Sequence, residues 1–141
     1  MAKKEYTFDE ICADISAKRF SPIYFLMGEE PYFIDQITNK LIDNVLEENE
    51  RDFIQVIMYG ADVNVISIIN AVRRYPMMSK YQLVVVKEAQ LIDNIELLSS
   101  YVKNPLQSTI LVVNYKYKTL DKRKSLASLV EKVGILYDSK K

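Results

Sequence analysis

Apolar residues follow two patterns along the chain: short continuous runs, and longer stretches in which an apolar residue recurs every three or four positions. Continuous runs are typical of strands buried on both faces of a parallel sheet, and the recurring spacing is typical of helices with one buried face. The runs predict strands at residues 23–27, 53–58, 83–86, 109–113 and 135–137. The spacing predicts helices at residues 7–18, 31–48, 93–102 and 119–133, and one more with the stripe Val65, Ile66, Ile69 and Val72.

Residues that favour helix ends support several of these boundaries. Thr7 is followed three positions later by Glu10, which is the spacing of a capping box. Asp62 and Asp93 are candidate caps for the third and fourth helices, because a carboxylate can accept hydrogen bonds from the free amides of a first turn. Gly134 stands where the fifth helix would end.

Strands and helices alternate along the sequence, and this order determines the predicted fold. Because a strand, a helix and a second strand form a parallel crossover unit, we expect an α/β domain. Its core would be a five-stranded, mostly parallel sheet with helices on both faces. The 141 residues, 49% of them hydrophobic, suffice for one such domain. No closing helix follows the fifth strand, so we expect residues 1–141 to be one domain of a longer protein.

The composition excludes several kinds of catalytic site within this chain. There is no histidine and a single cysteine, Cys12, which excludes Ser-His-Asp and Cys-His mechanisms and zinc sites of the usual type. Basic and acidic residues number 19 each, so no net charge attracts the chain to nucleic acid or membranes. With no signal-like N-terminus and no apolar run near the roughly 18 residues of a membrane span, we expect a cytoplasmic protein with no membrane partner.

The turn after the first strand stands where a nucleotide-binding P-loop would lie. A P-loop reads G-x-x-x-x-G-K-[ST]: the glycines let backbone N–H groups reach phosphate, the lysine contacts phosphate oxygens and the hydroxyl binds Mg²⁺. Residues 28–35 read GEEPYFID, so Phe33, Ile34 and Asp35 replace the second glycine, the lysine and the hydroxyl residue. Pro31 also removes an N–H donor. We therefore expect a core like that of P-loop NTPases, without a functional P-loop and with no cofactor.

The ends of the other strands lack the remaining parts of a nucleotide site. In ATPases with this arrangement an aspartate after the third strand helps to bind Mg²⁺, but Lys87 occupies that position and is followed by Glu88. Asn114, at the end of the fourth strand, resembles a phosphate-sensing residue but has no accompanying residues. Tyr59 ends the second strand, so these strand ends offer no aspartate as a phosphate acceptor. We expect neither a metal ion nor a catalytic residue.

Two segments are candidate binding surfaces. Residues 73–80 read RRYPMMSK, and Met77 and Met78 either pack under the sheet or belong to an exposed protein interface. Residues 115–124 read YKYKTLDKRK and form either a solvated helix face or a contact with DNA. The basic residues that would make such a contact are Lys116, Lys118, Lys122, Arg123 and Lys124.

Three blocks, in the same order and spread over nearly the whole chain, resemble the delta subunit of bacterial DNA polymerase III, a clamp-loader subunit. The first is YFLMGEEPYFID at residues 24–35, and the second is PMMSKYQLVVV at residues 76–86. The third comprises YVKNP at 101–105, TILV at 109–112 and DKRK at 121–124. Each block alone is weakly specific, but the set is specific enough to indicate the family.

The resemblance implies an AAA+ type N-terminal domain that does not bind ATP and is not an enzyme itself, although the family belongs to a DNA polymerase holoenzyme. In that family this domain binds the sliding clamp, the beta subunit, and holds one clamp interface open while other clamp-loader subunits hydrolyse ATP. DNA is then a partner only through the assembled complex. Lid and collar domains of the family would lie outside residues 1–141.

By alignment on the third strand, the family's clamp-contacting element falls on Pro76 and Met77, with Tyr75 and Met78 beside them. The sequence departs here from the Leu-Phe pair of some members, although methionine can also fill an apolar pocket. The leading hypothesis is a non-catalytic module that binds and opens the sliding clamp in DNA replication. Two alternatives remain open: an AAA+ ATPase domain with a divergent nucleotide site, and a DNA-binding module that uses residues 115–124.

Overall fold

The computed structural model describes residues 5–48, 53–74 and 81–141. The strands in these ranges are β1 Ile23–Gly28, β2 Phe53–Tyr59, β3 Tyr81–Lys87, β4 Thr109–Lys116 and β5 Ile135–Ser139. They form one sheet in the order β2-β3-β4-β1-β5, and all neighbouring pairs are parallel. The five predicted strands and the predicted parallel α/β sheet are confirmed.

Helices cover both faces of the sheet, as predicted. The helices are α1 Phe8–Ser16, α2 Pro31–Glu48, α3 Val65–Arg73, α4 Ser99–Val102 and α5 Ser125–Val133. The predicted capping box at the start of α1 is present: the Glu10 N–H donates to the Thr7 hydroxyl at 3.1 Å, and the Thr7 N–H donates to the Glu10 carboxylate at 2.9 Å. The prediction of helix α2 from Pro31 to Glu48 is also confirmed.

The core has two layers, one on each face of the sheet, because successive strand residues point to opposite faces. Along β1, Ile23, Phe25 and Met27 pack under α3, α4 and α5. Tyr24 and Leu26 pack on the other face under α1 and α2. Every side chain of this strand is buried, which explains why the sequence shows a continuous apolar run rather than an alternating one.

The start of α3 differs from the prediction. Asn64 caps the helix, not Asp62: its side-chain oxygen accepts a hydrogen bond from the Ser67 N–H at 2.8 Å. Since the helix begins at Val65, the position three residues later, Ile68, faces the core and is fully buried. Ile66, which we expected in the buried stripe, is 65% exposed.

The fourth predicted helix also begins differently. A 3₁₀ turn at Ile95–Leu98 precedes α4, and Asp93 does not cap it. The preceding residue is Asn94, whose left-handed backbone (φ 57°) is incompatible with the extended conformation of a side-chain cap. The expected stripe of Ile95, Leu98 and Val102 is nevertheless buried.

The predicted helix at 119–133 is wrong in its first half, because α5 begins only at Ser125. Strand β4 continues to Lys116, and Tyr117 then turns the chain with a left-handed backbone (φ 69°). Leu120 is 5% exposed, and its N–H donates to the sulfur of Met27 at 3.2 Å. These tertiary contacts hold the segment against β1 and override its helical pattern. The basic residues of 115–124 therefore do not share a helix face.

Candidate functional site

The turn between β1 and α2, where a P-loop would lie, is bonded to neighbouring chain segments. Gly28 has a φ of 121°, which side chains rarely adopt, and a Cβ atom there would lie 2.4 Å from the carbonyl oxygen of Ser139. The Gly28 N–H donates to the carbonyl of Lys118 at 2.9 Å, and its own carbonyl accepts from the Tyr117 N–H at 2.8 Å. Glycine is needed here because β5 and the turn after β4 approach closely.

Two backbone N–H groups after Gly28, those of Glu30 and Tyr32, also have protein acceptors. The Glu30 N–H donates to the carbonyl of Ser139 at 3.1 Å, and the Tyr32 N–H donates to the Glu30 carboxylate at 3.2 Å. Between them, Pro31 has no N–H to offer. The Ser139 hydroxyl closes the turn by donating to the Glu30 carbonyl at 2.7 Å. A phosphate group would have to displace these bonds and overcome the charge of Glu30.

Three charged side chains from three elements meet beside this turn and form an ion cluster of Asp35, Glu88 and Lys116. The ammonium of Lys116, at the end of β4, lies 2.9 Å from Asp35 Oδ1 and 3.4 Å from Glu88 Oε2. Asp35 stands at the position of the P-loop hydroxyl residue, and Glu88 follows the strand that would supply a metal ligand. A lysine cation thus neutralises the carboxylates at the positions where an ATPase would organise Mg²⁺.

The electrostatics of the ion cluster favour a charged lysine. Burial lowers the pKa of Lys116, but the hydrogen bond and charge of Asp35, followed by the charge of Glu88, raise it more. The net result is a pKa above the ordinary value for lysine. Lys116 therefore stays protonated at neutral pH, and its positive charge would repel a metal ion.

Gln90 holds the ends of β3 and β4 together next to the ion cluster. Its side-chain amide donates to Glu88 Oε1 at 2.7 Å, and its side-chain oxygen accepts from the Lys116 N–H at 3.1 Å. Glu88 itself has a left-handed backbone (φ 55°), a strained conformation for a residue with a side chain. Sequence reasoning missed Gln90 and the pairing of Asp35 with Lys116, because no local motif connects these positions.

Asn114, the candidate phosphate-sensing residue, is buried in the core and makes a hydrogen bond there. It is 1% exposed, and its side-chain amide donates to the hydroxyl of Thr38 at 2.8 Å. The bond joins β4 to α2 in the interior. The side chain is therefore committed to packing two elements together.

Of the five basic residues proposed for DNA contact, three make contacts with other groups of the protein. Lys116 belongs to the ion cluster, and the ammonium of Lys118 donates to the carbonyl of Gln90 at 3.3 Å. The guanidinium of Arg123 pairs with Asp121 at 3.0 Å. The hydrogen bond from Arg123 lowers the pKa of Asp121. Lys122 and Lys124 are exposed in the loop that leads to α5.

The clamp-contact candidates Tyr75, Pro76, Met77 and Met78, here called the 75–78 segment, lie outside the described residues. The chain is described on both sides of it, from the end of α3 to Arg74 and again from the start of β3 at Tyr81. The role of the segment in clamp contact is therefore proposed from the sequence. The structure gives the positions of Arg74 before it and of Tyr81 after it.

The described residues offer no group of three or more histidine, cysteine, aspartate or glutamate side chains that could hold a metal ion. None of the described helices is long and apolar enough to cross a membrane.

An open cleft of 550 Å³ lies beside the Gly28 turn and is lined by the acidic residues Glu29 and Asp138 and by the basic residue Lys118. Its mixed charges do not select an anion such as a nucleotide phosphate.

The fold resembles that of two solved structures. The DNA clamp loader delta protein of Bacillus subtilis superposes with a TM-score of 0.78 at 22% identity, over 95% of this chain and 42% of that chain. A DNA polymerase III, gamma subunit-related protein from Thermotoga maritima superposes with a TM-score of 0.55 at 12% identity, over 95% of this chain and 46% of that chain. At these identities the likeness shows the shared fold.

The sequence comparisons give the family. The DNA polymerase III subunit delta of Bacillus subtilis is 24% identical over 129 residues, which are 84% of this chain and 37% of that protein. The chain thus spans less than half the length of these relatives. A family model described as DNA polymerase III, delta subunit, matches residues 24–139. Because this match covers most of the sequence, the chain belongs to the family of DNA polymerase III delta subunits.

Proposed function

We propose that this chain is the part of a clamp-loader delta subunit that binds the sliding clamp and opens it during DNA replication, without hydrolysing ATP. The observation that carries the non-catalytic role is the ion cluster of Asp35, Glu88 and Lys116, together with the hydrogen-bonded Gly28 turn. These contacts occupy the place where an ATPase of similar fold would bind nucleotide and Mg²⁺. The contribution to clamp loading is then made by binding a protein partner.

The family and the charge of the chain support the proposed partners. The sliding clamp is the direct partner, and the other clamp-loader subunits, which supply ATP hydrolysis, are neighbours in the complex. Basic and acidic residues balance, so DNA is reached through the assembled complex rather than by a field of this domain. No cofactor or metal is needed for this role, which is performed in the cytoplasm.

The clamp contact is proposed to be made by Tyr75, Pro76, Met77 and Met78. These are apolar or amphipathic side chains with basic residues on both sides, Arg74 and Lys80. Burying one such side chain in an apolar pocket contributes about 1.5–3 kcal/mol. Two of them therefore suffice to dominate a micromolar interface, as a small number of hot-spot residues usually does.

A titration of the protein against its clamp, by calorimetry or surface plasmon resonance, tests this assignment. The double variant Pro76→Ala/Met77→Ala should weaken binding by about tenfold or more, since each 1.4 kcal/mol is a factor of ten. Ile66→Ala and Leu97→Ala are matched controls, because these apolar side chains are 65% and 56% exposed elsewhere on the domain. The controls should bind as the unmodified protein does.

Two outcomes of this titration would contradict two different claims, the assignment of the contact residues and the proposed function. Unchanged affinity of the double variant would reject the 75–78 segment as the clamp contact. No binding of the unmodified protein to its clamp would reject the function itself.

The ATPase alternative is tested by nucleotide binding. The N–H groups of Gly28, Glu30 and Tyr32 donate to protein acceptors, and Lys116 pairs with Asp35 and Glu88. We therefore expect no saturable binding of ATP with Mg²⁺ at concentrations up to about 1 mM, the upper end of usual KM values. Micromolar affinity for ATP would contradict the proposed role and support an ATPase with a divergent site.

A further inference from the structure

An open apolar cleft of 360 Å³ lies between the start of α3 and the turns that follow β3. It is lined by residues of two segments, 60–66 and 91–97. Three of its side chains are large, aliphatic and mostly exposed: Ile66 at 65%, Leu91 at 58% and Leu97 at 56%. Among the described side chains, every leucine or isoleucine that is more than half exposed lies at this cleft. Single exposed apolar residues are common on proteins, but a cluster of them indicates a binding surface.

The two exposed leucines belong to short turns that begin after strained residues. Glu88 (φ 55°) precedes the 3₁₀ turn Ala89–Leu91, and Asn94 (φ 57°) precedes the turn Ile95–Leu98. A left-handed backbone is unfavourable for a residue with a side chain, and such strain is concentrated at functional sites. The first residue of each turn is buried, whereas the two exposed leucines line the cleft. The strained turns therefore keep these leucines at the surface, which favours a role in binding.

The lining of the cleft favours a basic protein partner. Its buried side chains, Val65 and Ile92, are apolar, so its floor offers no polar side chain to orient a small ligand. Its charged lining residue, Asp93, is acidic, and Asp62 is exposed within the same 60–66 segment. In a two-fold interface a second copy of the chain would bring carboxylates against these carboxylates, whereas lysine or arginine would complement them.

We propose that this cleft docks an amphipathic helix of another clamp-loader subunit. The helix would place apolar side chains on Ile66, Leu91 and Leu97, and a lysine or arginine beside Asp93. A groove of this kind takes an apolar helix face whose anchoring residues are three or four positions apart. The inference rests on the proposed function, because it takes the partner from the same complex. It does not involve the proposed clamp contact.

The test of the apolar contact uses the full-length subunit and the purified ATPase subunits of the same clamp loader, with binding followed by surface plasmon resonance. Leu91→Ala/Leu97→Ala should weaken binding by at least about tenfold, the effect expected of hot-spot residues. Both side chains are mostly exposed, so the variant should keep its melting temperature. Ile57→Ala is the matched control, because this aliphatic side chain is 36% exposed on β2; it should leave affinity within about twofold.

The charge contact is tested by reversing the sign of Asp93. Asp93→Lys should weaken binding to the ATPase subunits by about tenfold at roughly 0.05 M salt, because it sets two cations against each other. The loss should be smaller at about 0.5 M salt, where charges are screened. Unchanged or tighter binding by this variant would overturn the inference.

The remaining outcomes distinguish the partners. Unchanged affinity of the folded Leu91→Ala/Leu97→Ala variant, or no binding of the unmodified subunit to the ATPase subunits, would overturn the inference. A dimer of the unmodified subunit that dissociates in this variant would assign the cleft to a second copy, and would overturn it too. A clamp titration without ATPase subunits tests the proposed function separately: failure of the unmodified subunit to bind the clamp there rejects that function.

Discussion

Replacing Lys116 by methionine removes the cation at the centre of the ion cluster while keeping most of the side-chain volume. The lysine side chain is 14% exposed, whereas those of Asp35 and Glu88 are 50% and 41% exposed. Pairs in contact with water contribute about 0–1 kcal/mol each because solvent screens them. The variant also leaves two carboxylates near each other without a cation.

From these contacts we expect Lys116→Met to lower the free energy of unfolding by about 1–2 kcal/mol at neutral pH and low salt. This corresponds to a melting temperature lower by about 3–6 °C for a domain of this size. Lys118→Met is the matched control on the same turn, because the Lys118 ammonium donates a hydrogen bond of 3.3 Å to the carbonyl of Gln90 and is not part of the ion cluster. That variant should change stability by less than about 0.5 kcal/mol.

The effect of Lys116→Met should depend on salt and on pH. Salt screens charges, so the difference from the unmodified protein should shrink between about 0.05 M and 1 M salt. The pKa of Lys116 is raised in the folded protein. Its stabilisation is therefore complete below the unfolded value of about 10.4 and is lost as the pH rises through the higher folded value. The difference should be constant at neutral pH and decline in strong alkali.

Urea unfolding followed by circular dichroism, repeated at both salt concentrations, measures these differences. A Lys116→Met variant as stable as the unmodified protein, or a loss that salt does not change, would refute the reasoning that the ion cluster holds the strand ends together.

Three further predictions concern the Gly28 turn, the cap of α3 and the basic loop. Gly28→Ala should cost at least about 2 kcal/mol in urea unfolding, since its φ of 121° is strained for alanine and the added Cβ atom would overlap the carbonyl oxygen of Ser139 in β5. A loss below about 0.5 kcal/mol, on the order of a surface change, would contradict this. Asn64→Ala should cost about 1 kcal/mol and Asp62→Ala almost none, in the same assay, and the reverse order would restore Asp62 as the cap. Duplex DNA should bind the domain weakly at about 0.15 M salt, and a steep salt dependence that is lost in Lys122→Ala/Lys124→Ala would instead support direct DNA contact.

Local sequence patterns predicted the sheet well, because each buried strand is a continuous apolar run and each run is short. They predicted helix ends less well where two capping residues compete. Asp62 and Asn64 are both residues that favour a helix N-cap, and the helix begins directly after Asn64. Residues 119–124 have a helical pattern, but the contact of Leu120 with Met27 keeps them in a loop.

The candidate site shows more clearly what local sequence patterns do not predict. The sequence predicted that Asp35 and Lys87 replace the residues of a nucleotide site, since this follows from comparison with a motif. It did not predict that Lys116 lies between Asp35 and Glu88, because the side chains of α2, the turn after β3 and β4 can be placed together only when the strand register is known.

The central claim, that this domain binds a sliding clamp without using nucleotide, is tested most directly by measuring its affinity for the clamp with and without ATP and Mg²⁺. The account predicts saturable binding in the absence of nucleotide, with a dissociation constant that ATP changes by less than about twofold, or 0.4 kcal/mol. Absence of binding, or binding that requires ATP, would contradict it.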